Sequence, residues 1–133
     1  MLNYKLLVVD DDEDDREIMN EAFSMQGFRQ HLILSSPEEV ITYLQKVKDN
    51  NDLPKVILMD LNMHGISGCE LMKAIKGMDR YKDIDIYIYS SSDNSYYKKL
   101  CLDLGAKEFI PKPNKIQGYI QLAERIRGLL TKH

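Results

Sequence analysis

The chain has 133 residues, of which 44% are hydrophobic and 29% charged, a composition typical of one globular domain with its own core. It contains neither an apolar run long enough for a transmembrane helix nor a basic, cleavable start, so we expect no membrane span and no signal peptide. Cys69 and Cys101 lie far apart and outside any metal-binding spacing. We therefore expect reduced packing cysteines in a cytoplasmic protein.

The charge of the chain is concentrated in one place. It has 21 acidic and 18 basic residues, a net charge of −3, and residues 10–15 are all acidic. The remainder of the chain therefore carries more basic than acidic residues. A net acidic protein is a poor match for a nucleic-acid surface, so we expect no nucleic-acid partner.

Five short, unbroken apolar runs indicate strands that are buried on both faces, as in a parallel sheet. A segment with helical spacing of apolar residues follows each run. This alternation predicts an α/β fold with helices on both faces of the sheet. The predicted strands are Leu6–Val9, Leu32–Leu34, Val56–Met59, Ile84–Tyr89 and Phe109–Ile110.

Helix signals agree with the alternation. Residues 36–39 read Ser-Pro-Glu-Glu, which combines an N-cap serine, a first-turn proline and early acids at the start of the second helix. Gly105 stands where a glycine would end the fourth helix. The spacing of apolar residues assigns Met25, Met72 and Met78 to buried helix positions.

Polar residues stand directly after four of the predicted strands. Asp10 and Asp11 follow the first strand, Asp60 the third, a serine cluster beginning at Ser90 the fourth, and Lys112 the fifth. In open α/β sheets, ligands bind beyond the carboxyl ends of the strands. We therefore expect carboxylates, a hydroxyl group and a lysine to meet at one edge of the sheet.

This set of side chains suits phosphoryl chemistry. Clustered carboxylates repel one another unless a cation neutralises them, and such oxygen ligands suit Mg²⁺ or Mn²⁺. A lysine beside a hydroxyl group suits phosphate oxygens. Asp60, the isolated acid between Met59 and Leu61, is the candidate nucleophile.

Short motifs follow one another along the chain and together give a family resemblance. They are Leu6-Leu7-Val8-Val9-Asp10-Asp11, then Asp60-Leu61-Asn62-Met63 with Gly65 and Gly68, then Tyr89-Ser90-Ser91, Leu104-Gly105-Ala106, and Phe109 with Lys112-Pro113. With these motifs the sequence resembles a response-regulator receiver domain, the family of the chemotaxis regulator, over residues of about 4–131. The resemblance implies a flavodoxin-like, doubly wound sheet of five parallel strands in the order 2-1-3-4-5 with five helices. It also implies a single domain over residues 1–133, without an output domain.

The resemblance implies a role for each acidic residue of the site. Asp60 would accept a phosphoryl group from a phosphohistidine of a partner protein. Asp11 and Asp60 would contact Mg²⁺ directly, Asp10 would act through a water molecule, and Asn62 would offer its backbone carbonyl. Residues 12–15 are interpreted as a favourable helix N-terminus instead.

The resemblance also implies a conformational switch. Ser90 would donate a hydrogen bond to the phosphoryl group, and Lys112 would pair with it. Movement of Ser90 toward the phosphate would let Phe109 turn inward and reshape the face formed by the fourth helix, fifth strand and fifth helix. The Lys112–Pro113 peptide bond is expected to be cis.

The expected partners are a sensor histidine kinase or a phosphotransfer protein and an unidentified downstream protein, with no membrane surface. The protein would be a monomer or a weak homodimer through the face from the fourth to the fifth helix. Residues 96–99 and Tyr119 are candidates for a partner surface, since tyrosine is enriched at interfaces. His64, which stands where the family often has proline, is interpreted as a solvated loop residue.

Other functions stay open at this point. A phosphorelay shuttle would use the same residues to pass the phosphoryl group onward. A phosphatase of the haloacid-dehalogenase type needs an acidic pair after the lysine, where only Glu124 remains. A flavodoxin-like FMN site needs hydroxyl and amide donors where residues 10–15 are acidic. A degenerate receiver acting only as a scaffold is disfavoured because every site position is filled, so we expect a signalling module and not a substrate-turnover enzyme.

Overall fold

The computed structural model describes residues 3–63, 65–91 and 95–131. Five parallel strands form one sheet in the order β2-β1-β3-β4-β5, which confirms the predicted order. The strands are β1 (Leu6–Val9), β2 (His31–Leu34), β3 (Val56–Asp60), β4 (Asp85–Ser90) and β5 (Glu108–Pro111), and the helices are α1 (Glu13–Met25), α2 (Pro37–Lys46), α3 (Gly68–Lys76), α4 (Ser95–Asp103) and α5 (Ile116–Thr131).

The central strands separate two apolar layers. Along β1, Leu7 and Val9 face the layer that holds buried residues of α2, α3 and α4, while Leu6 and Val8 face the layer that holds buried residues of α1 and α5. All residues of β1 and β3 are buried, because helices cover both faces of these strands. This burial explains the unbroken apolar runs Leu6–Val9 and Val56–Met59, to which Asp60 adds a buried polar residue at the end of β3.

The start of α2 follows its predicted signal, whereas the predicted burial of the methionines is correct for only one of the three. Ser36 caps α2 by accepting a hydrogen bond from the Glu39 N–H at 3.2 Å. Met72 is buried as predicted, but Met25 and Met78 are 60% and 48% exposed. Met25 is the last residue of α1 and Met78 lies beyond the end of α3, so helical spacing no longer decides which way they face. No helix among the described residues is both long and apolar enough to cross a membrane.

Cys69 and Cys101 form a disulfide, so the prediction of reduced thiols is wrong. Cys69 is the second residue of α3 and Cys101 lies in α4, and their Cα atoms are 5.5 Å apart. Both residues are buried between the two helices, as the packing interpretation required. The thiol argument for a cytoplasmic location therefore no longer applies.

Candidate functional site

The parallel register brings the predicted acidic residues to one edge of the sheet. Val9 of β1 pairs with Met59 of β3, so Asp10 lies level with Asp60. Carboxylate oxygens of Asp10, Asp11 and Asp60 lie within 4.8 Å of one another. The three acids that the sequence placed after two different strands thus form one cluster.

Asp60 is a buried carboxylate with three close electrostatic neighbours. It is 3% exposed, its Oδ1 atom accepts a hydrogen bond from the Asn62 N–H at 3.2 Å, and its Oδ2 atom lies 3.2 Å from Lys112 Nζ. Burial and the charge of Asp10 raise the pKa of Asp60 to about 7, although Lys112 and the Asn62 N–H act in the opposite direction. The protein's own groups therefore leave the negative charge of the cluster only partly compensated, and a divalent cation would fit this oxygen-rich set.

Lys112 is the cation that joins the cluster. Its Nζ atom lies 3.1 Å from Asp10, 2.8 Å from Asp15 and 3.2 Å from Asp60, and its side chain is 11% exposed. Burial lowers the pKa of Lys112, but these carboxylates outweigh burial and hold the pKa above its ordinary value. Lys112 is therefore a fixed positive charge beside the Asp60 carboxylate.

The predicted cis peptide bond between Lys112 and Pro113 is wrong, since no peptide bond of the described residues is cis. The trans form is the default even before proline, where it is favoured by about 0.5–1 kcal/mol.

Ser90 and Phe109 occupy the positions that the strand boundaries predicted. Ser90 is the last residue of β4 and is buried, and its carbonyl oxygen accepts a hydrogen bond from the Lys112 N–H at 2.8 Å. Phe109 lies in β5, half-buried against the apolar layer that includes α3 and α4. His64 lies outside the described residues.

Three residues of the site were missed by the sequence interpretation. Asp15 pairs with Lys112, so it does more than favour a helix N-terminus. The Tyr119 hydroxyl lies 3.3 Å from Asp15 Oδ1 and the residue is buried, so the prediction that Tyr119 belongs to a partner surface is wrong. Tyr119 is 4% exposed, and burial and the charge of Asp15 raise its pKa to about 12. Tyr89 donates its hydroxyl hydrogen to Asp10. Asp15 lies in the first turn of α1, and its place in the acidic run that follows β1 is the signal that could have indicated it.

The site is open to solvent through a cleft of about 530 Å³ beside the carboxyl end of the sheet. Asp11, Asp60, Asn62 and Lys112 all line this cleft. The Asp60 carboxylate is therefore part of the wall of a cleft that could hold a ligand.

Gly68 lets α3 begin directly against the Asp60 backbone. A Cβ atom added at this position would overlap the Asp60 carbonyl oxygen, and the Gly68 N–H donates to the Leu61 carbonyl oxygen at 2.8 Å. The close approach holds the first residue of α3 against the end of β3.

We expect Gly68→Ala to lower the free energy of unfolding by about 1–3 kcal/mol, because the new methyl group meets backbone atoms that cannot move independently. Urea denaturation followed by circular dichroism measures this loss. Gly128→Ala in α5 is the matched control, because an added Cβ atom there contacts nothing within 4 Å. That control should be stabilised by about 0.5–1 kcal/mol, and equal midpoints for the two variants would contradict the interpretation.

Comparisons with known proteins converge on one family. Residues 6–124 match the family described as the response regulator receiver domain. The response regulator MprA of Mycobacterium tuberculosis is 26% identical over 131 residues, which is 98% of this chain and 52% of that protein. The chain thus spans about half the length of the curated relatives it matches.

Solved structures share the fold at lower sequence identity. The phosphorylated cyanobacterial phytochrome response regulator RcpA superposes with a TM-score of 0.82 at 23% identity, covering 96% of this chain and 94% of that one. The Mn²⁺-bound form of response regulator Rcp1 gives 0.78 at 21% identity, covering 92% and 90%. The chemotaxis response regulator CheY4 of Vibrio cholerae gives 0.75 at 23% identity, covering 92% and 98%.

Proposed function

Because the chain belongs to the response regulator receiver domain family, we propose that it is a phosphorylation-dependent switch whose phosphoacceptor is Asp60. The observation that carries the proposal is the environment of this carboxylate. Asp60 is buried at the carboxyl end of β3, contacts Lys112, and lies within the cluster that includes Asp10 and Asp11. A reactive carboxylate with a fixed cation beside it is suited to receive an anionic group.

Asp10, Asp11 and Asp60 are the residues that would hold Mg²⁺ or Mn²⁺, with the backbone carbonyl of Asn62 as a further ligand. Their close approach and the raised pKa of Asp60 support this assignment. The solved structure of Rcp1 in its Mn²⁺-bound form, a similar fold, is consistent with it. A bound Mg²⁺ would supply charge neutralisation for the carboxylate and for the phosphoryl oxygens.

The transfer itself would be a substitution at phosphorus. One Asp60 carboxylate oxygen forms the new O–P bond while the P–N bond of the phosphohistidine breaks, and the electron pair of that bond stays with the departing imidazole nitrogen. Lys112 would pair with the transferred group, since its Nζ atom is already 3.2 Å from Asp60. Ser90 would donate its hydroxyl hydrogen to a phosphoryl oxygen.

The output of the switch would be the face formed by α4, β5 and α5. Phe109, half-buried in β5, would turn inward when Ser90 moves toward the phosphoryl group. Large apolar side chains are exposed on the helices of this face: Tyr96 at 69%, Tyr97 at 41%, Leu102 at 40% and Ile116 at 47%. Such side chains suit a protein partner or a weak homodimer. The phosphoryl donor would be a histidine kinase or a phosphotransfer protein.

Acetyl phosphate with Mg²⁺ tests the proposal without a partner protein. We expect intact-mass spectrometry to show one added phosphoryl group, and chelation of Mg²⁺ to prevent it. Asp60→Asn should gain nothing, while Asp103→Asn, an exposed acid at the end of α4, should react as the native protein does. Failure of the native protein to react, or reaction of Asp60→Asn, would refute the assignment.

A further inference from the structure

Tyr89 is a buried tyrosine that touches two charged groups of the site. It is 0% exposed in β4, next to Ser90. Its hydroxyl donates to Asp10 Oδ2, and the centre of its ring lies 4.9 Å from Lys112 Nζ. The ring packs in the apolar layer between the sheet and the helices α1 and α5. The contacts with Asp10 and Lys112 are additional to this packing. The tyrosine therefore combines a packing side chain with a polar end placed in the site.

The sheet register explains how Tyr89 reaches Asp10. Tyr89 of β4 pairs with Asp60 of β3, and Asp10 lies level with Asp60 on the far side, after β1. Strands are about 4.8 Å apart, so a side chain on β4 must extend across β3 to reach a residue at the end of β1. A tyrosine is long enough to do this and ends in a hydroxyl donor, whereas an aliphatic residue would end short of the carboxylate.

The hydrogen bond fixes the orientation of Asp10. Its Oδ1 atom accepts from the Asp12 N–H at 2.9 Å, while its Oδ2 atom accepts from Tyr89 and lies 3.1 Å from Lys112 Nζ. Both carboxylate oxygens are thus held, and the carboxyl group is not free to rotate. Without the tyrosine hydroxyl, the contact that remains for Oδ2 among the described residues is Lys112, whose charge is shared with Asp15 and Asp60.

We propose that Tyr89 is a positioning residue for the divalent cation, acting through the Asp10 carboxylate. Outer-shell partners that orient ligating carboxylates are commonly required for full metal affinity. The inference rests on the proposed function, because it needs the cluster of Asp10, Asp11 and Asp60 to bind Mg²⁺. It assigns to Tyr89 a part in cation binding in addition to its part in the core.

Calorimetric titration of Mg²⁺ into Tyr89→Phe tests the inference, since this variant keeps the ring and loses only the hydroxyl. We expect the dissociation constant for Mg²⁺ to rise about 10-fold or more. Saturating Mg²⁺ should restore phosphorylation by acetyl phosphate toward the native rate. Tyr87→Phe is the matched control, because Tyr87 is buried in the same layer two residues earlier in β4, away from the site. Its dissociation constant should equal that of the native protein.

The outcomes separate this inference from the proposed function. If the native protein binds Mg²⁺ and Tyr89→Phe binds it equally well, only the role of Tyr89 is refuted. An equal loss in Tyr87→Phe refutes it too, because the effect would then be one of core packing. If the native protein binds no Mg²⁺, the metal site and this inference both fail.

A double-mutant cycle that combines Tyr89→Phe with Asp10→Asn tests whether the tyrosine hydroxyl acts through the Asp10 carboxylate. The losses in Mg²⁺ affinity should not add, since Tyr89 would act through Asp10. Additive losses would overturn the proposal.

Discussion

Asp60→Asn is expected to remove a large part of the pH dependence of stability in the metal-free protein. The pKa of Asp60 is raised from the ordinary 3.8 to about 7 by burial and by the charge of Asp10. In the native protein without metal, the free energy of unfolding should therefore fall by about 2–3 kcal/mol between pH 5 and pH 8 because of this one group. The variant should lack that decrease.

The direction of this change in the free energy of unfolding follows from the protonation of Asp60 in the folded and unfolded chains. Below the ordinary pKa, Asp60 is protonated in both the folded and the unfolded chain, and its contribution to stability is fully present. Between pH 3.8 and about 7 the unfolded chain releases the proton while the folded protein keeps it, so folding becomes progressively less favourable. Above about pH 7 the folded protein releases the proton as well, and the loss reaches its limit.

Urea denaturation in a chelating buffer at several pH values measures this effect as a difference between the two proteins. Titrating groups that do not contact Asp60 cancel in that difference, whereas the difference includes any response of Asp10 and Lys112, which interact with Asp60. Saturating Mg²⁺ should restore stability at pH 8 in the native protein, because a cation bound at Asp60 favours the ionised carboxylate. Parallel pH profiles for native protein and Asp60→Asn would show that the carboxyl group is not disfavoured in its charged form.

The fold was largely readable from the sequence because its central strands are buried on both faces. Unbroken apolar runs such as Leu6–Val9 leave few alternatives to a parallel strand, and the structure places that strand between two helical layers. The order of the strands in the sheet could not be derived from the apolar runs. Periodicity does not say which strands are neighbours, and the order 2-1-3-4-5 came from the family resemblance.

The meeting of Asp10, Asp11, Asp60 and Lys112 was predictable for a related reason. Each stands at the end of a strand or just after it, and parallel strands end at the same edge of the sheet. Asp15, Tyr89 and Tyr119 reach the site from a helix or from within a strand. No rule about strand ends includes such residues, because their place depends on side-chain length and on how the helices pack.

The disulfide was missed because cysteine spacing along a sequence does not show which cysteines are neighbours in space. Cys69 is the second residue of α3, and Cys101 lies in the following helix of the same layer. Their approach depends on how α3 packs beside α4, which is a property of the folded chain.

Reduction of the disulfide is expected to lower the free energy of unfolding by about 3–4 kcal/mol, the size given by loop-closure entropy for cysteines separated by 32 residues. Cys101 is the residue of α4 that is buried, so the bond joins the helix to the core at its main point of attachment. Reduction should therefore also speed hydrogen exchange in α4 more than in α5. Urea denaturation with and without dithiothreitol measures the change. A variant with alanine at both positions, Cys69→Ala with Cys101→Ala, should not respond to the reductant. Identical midpoints for oxidised and reduced native protein would show that packing alone holds α4 on the sheet.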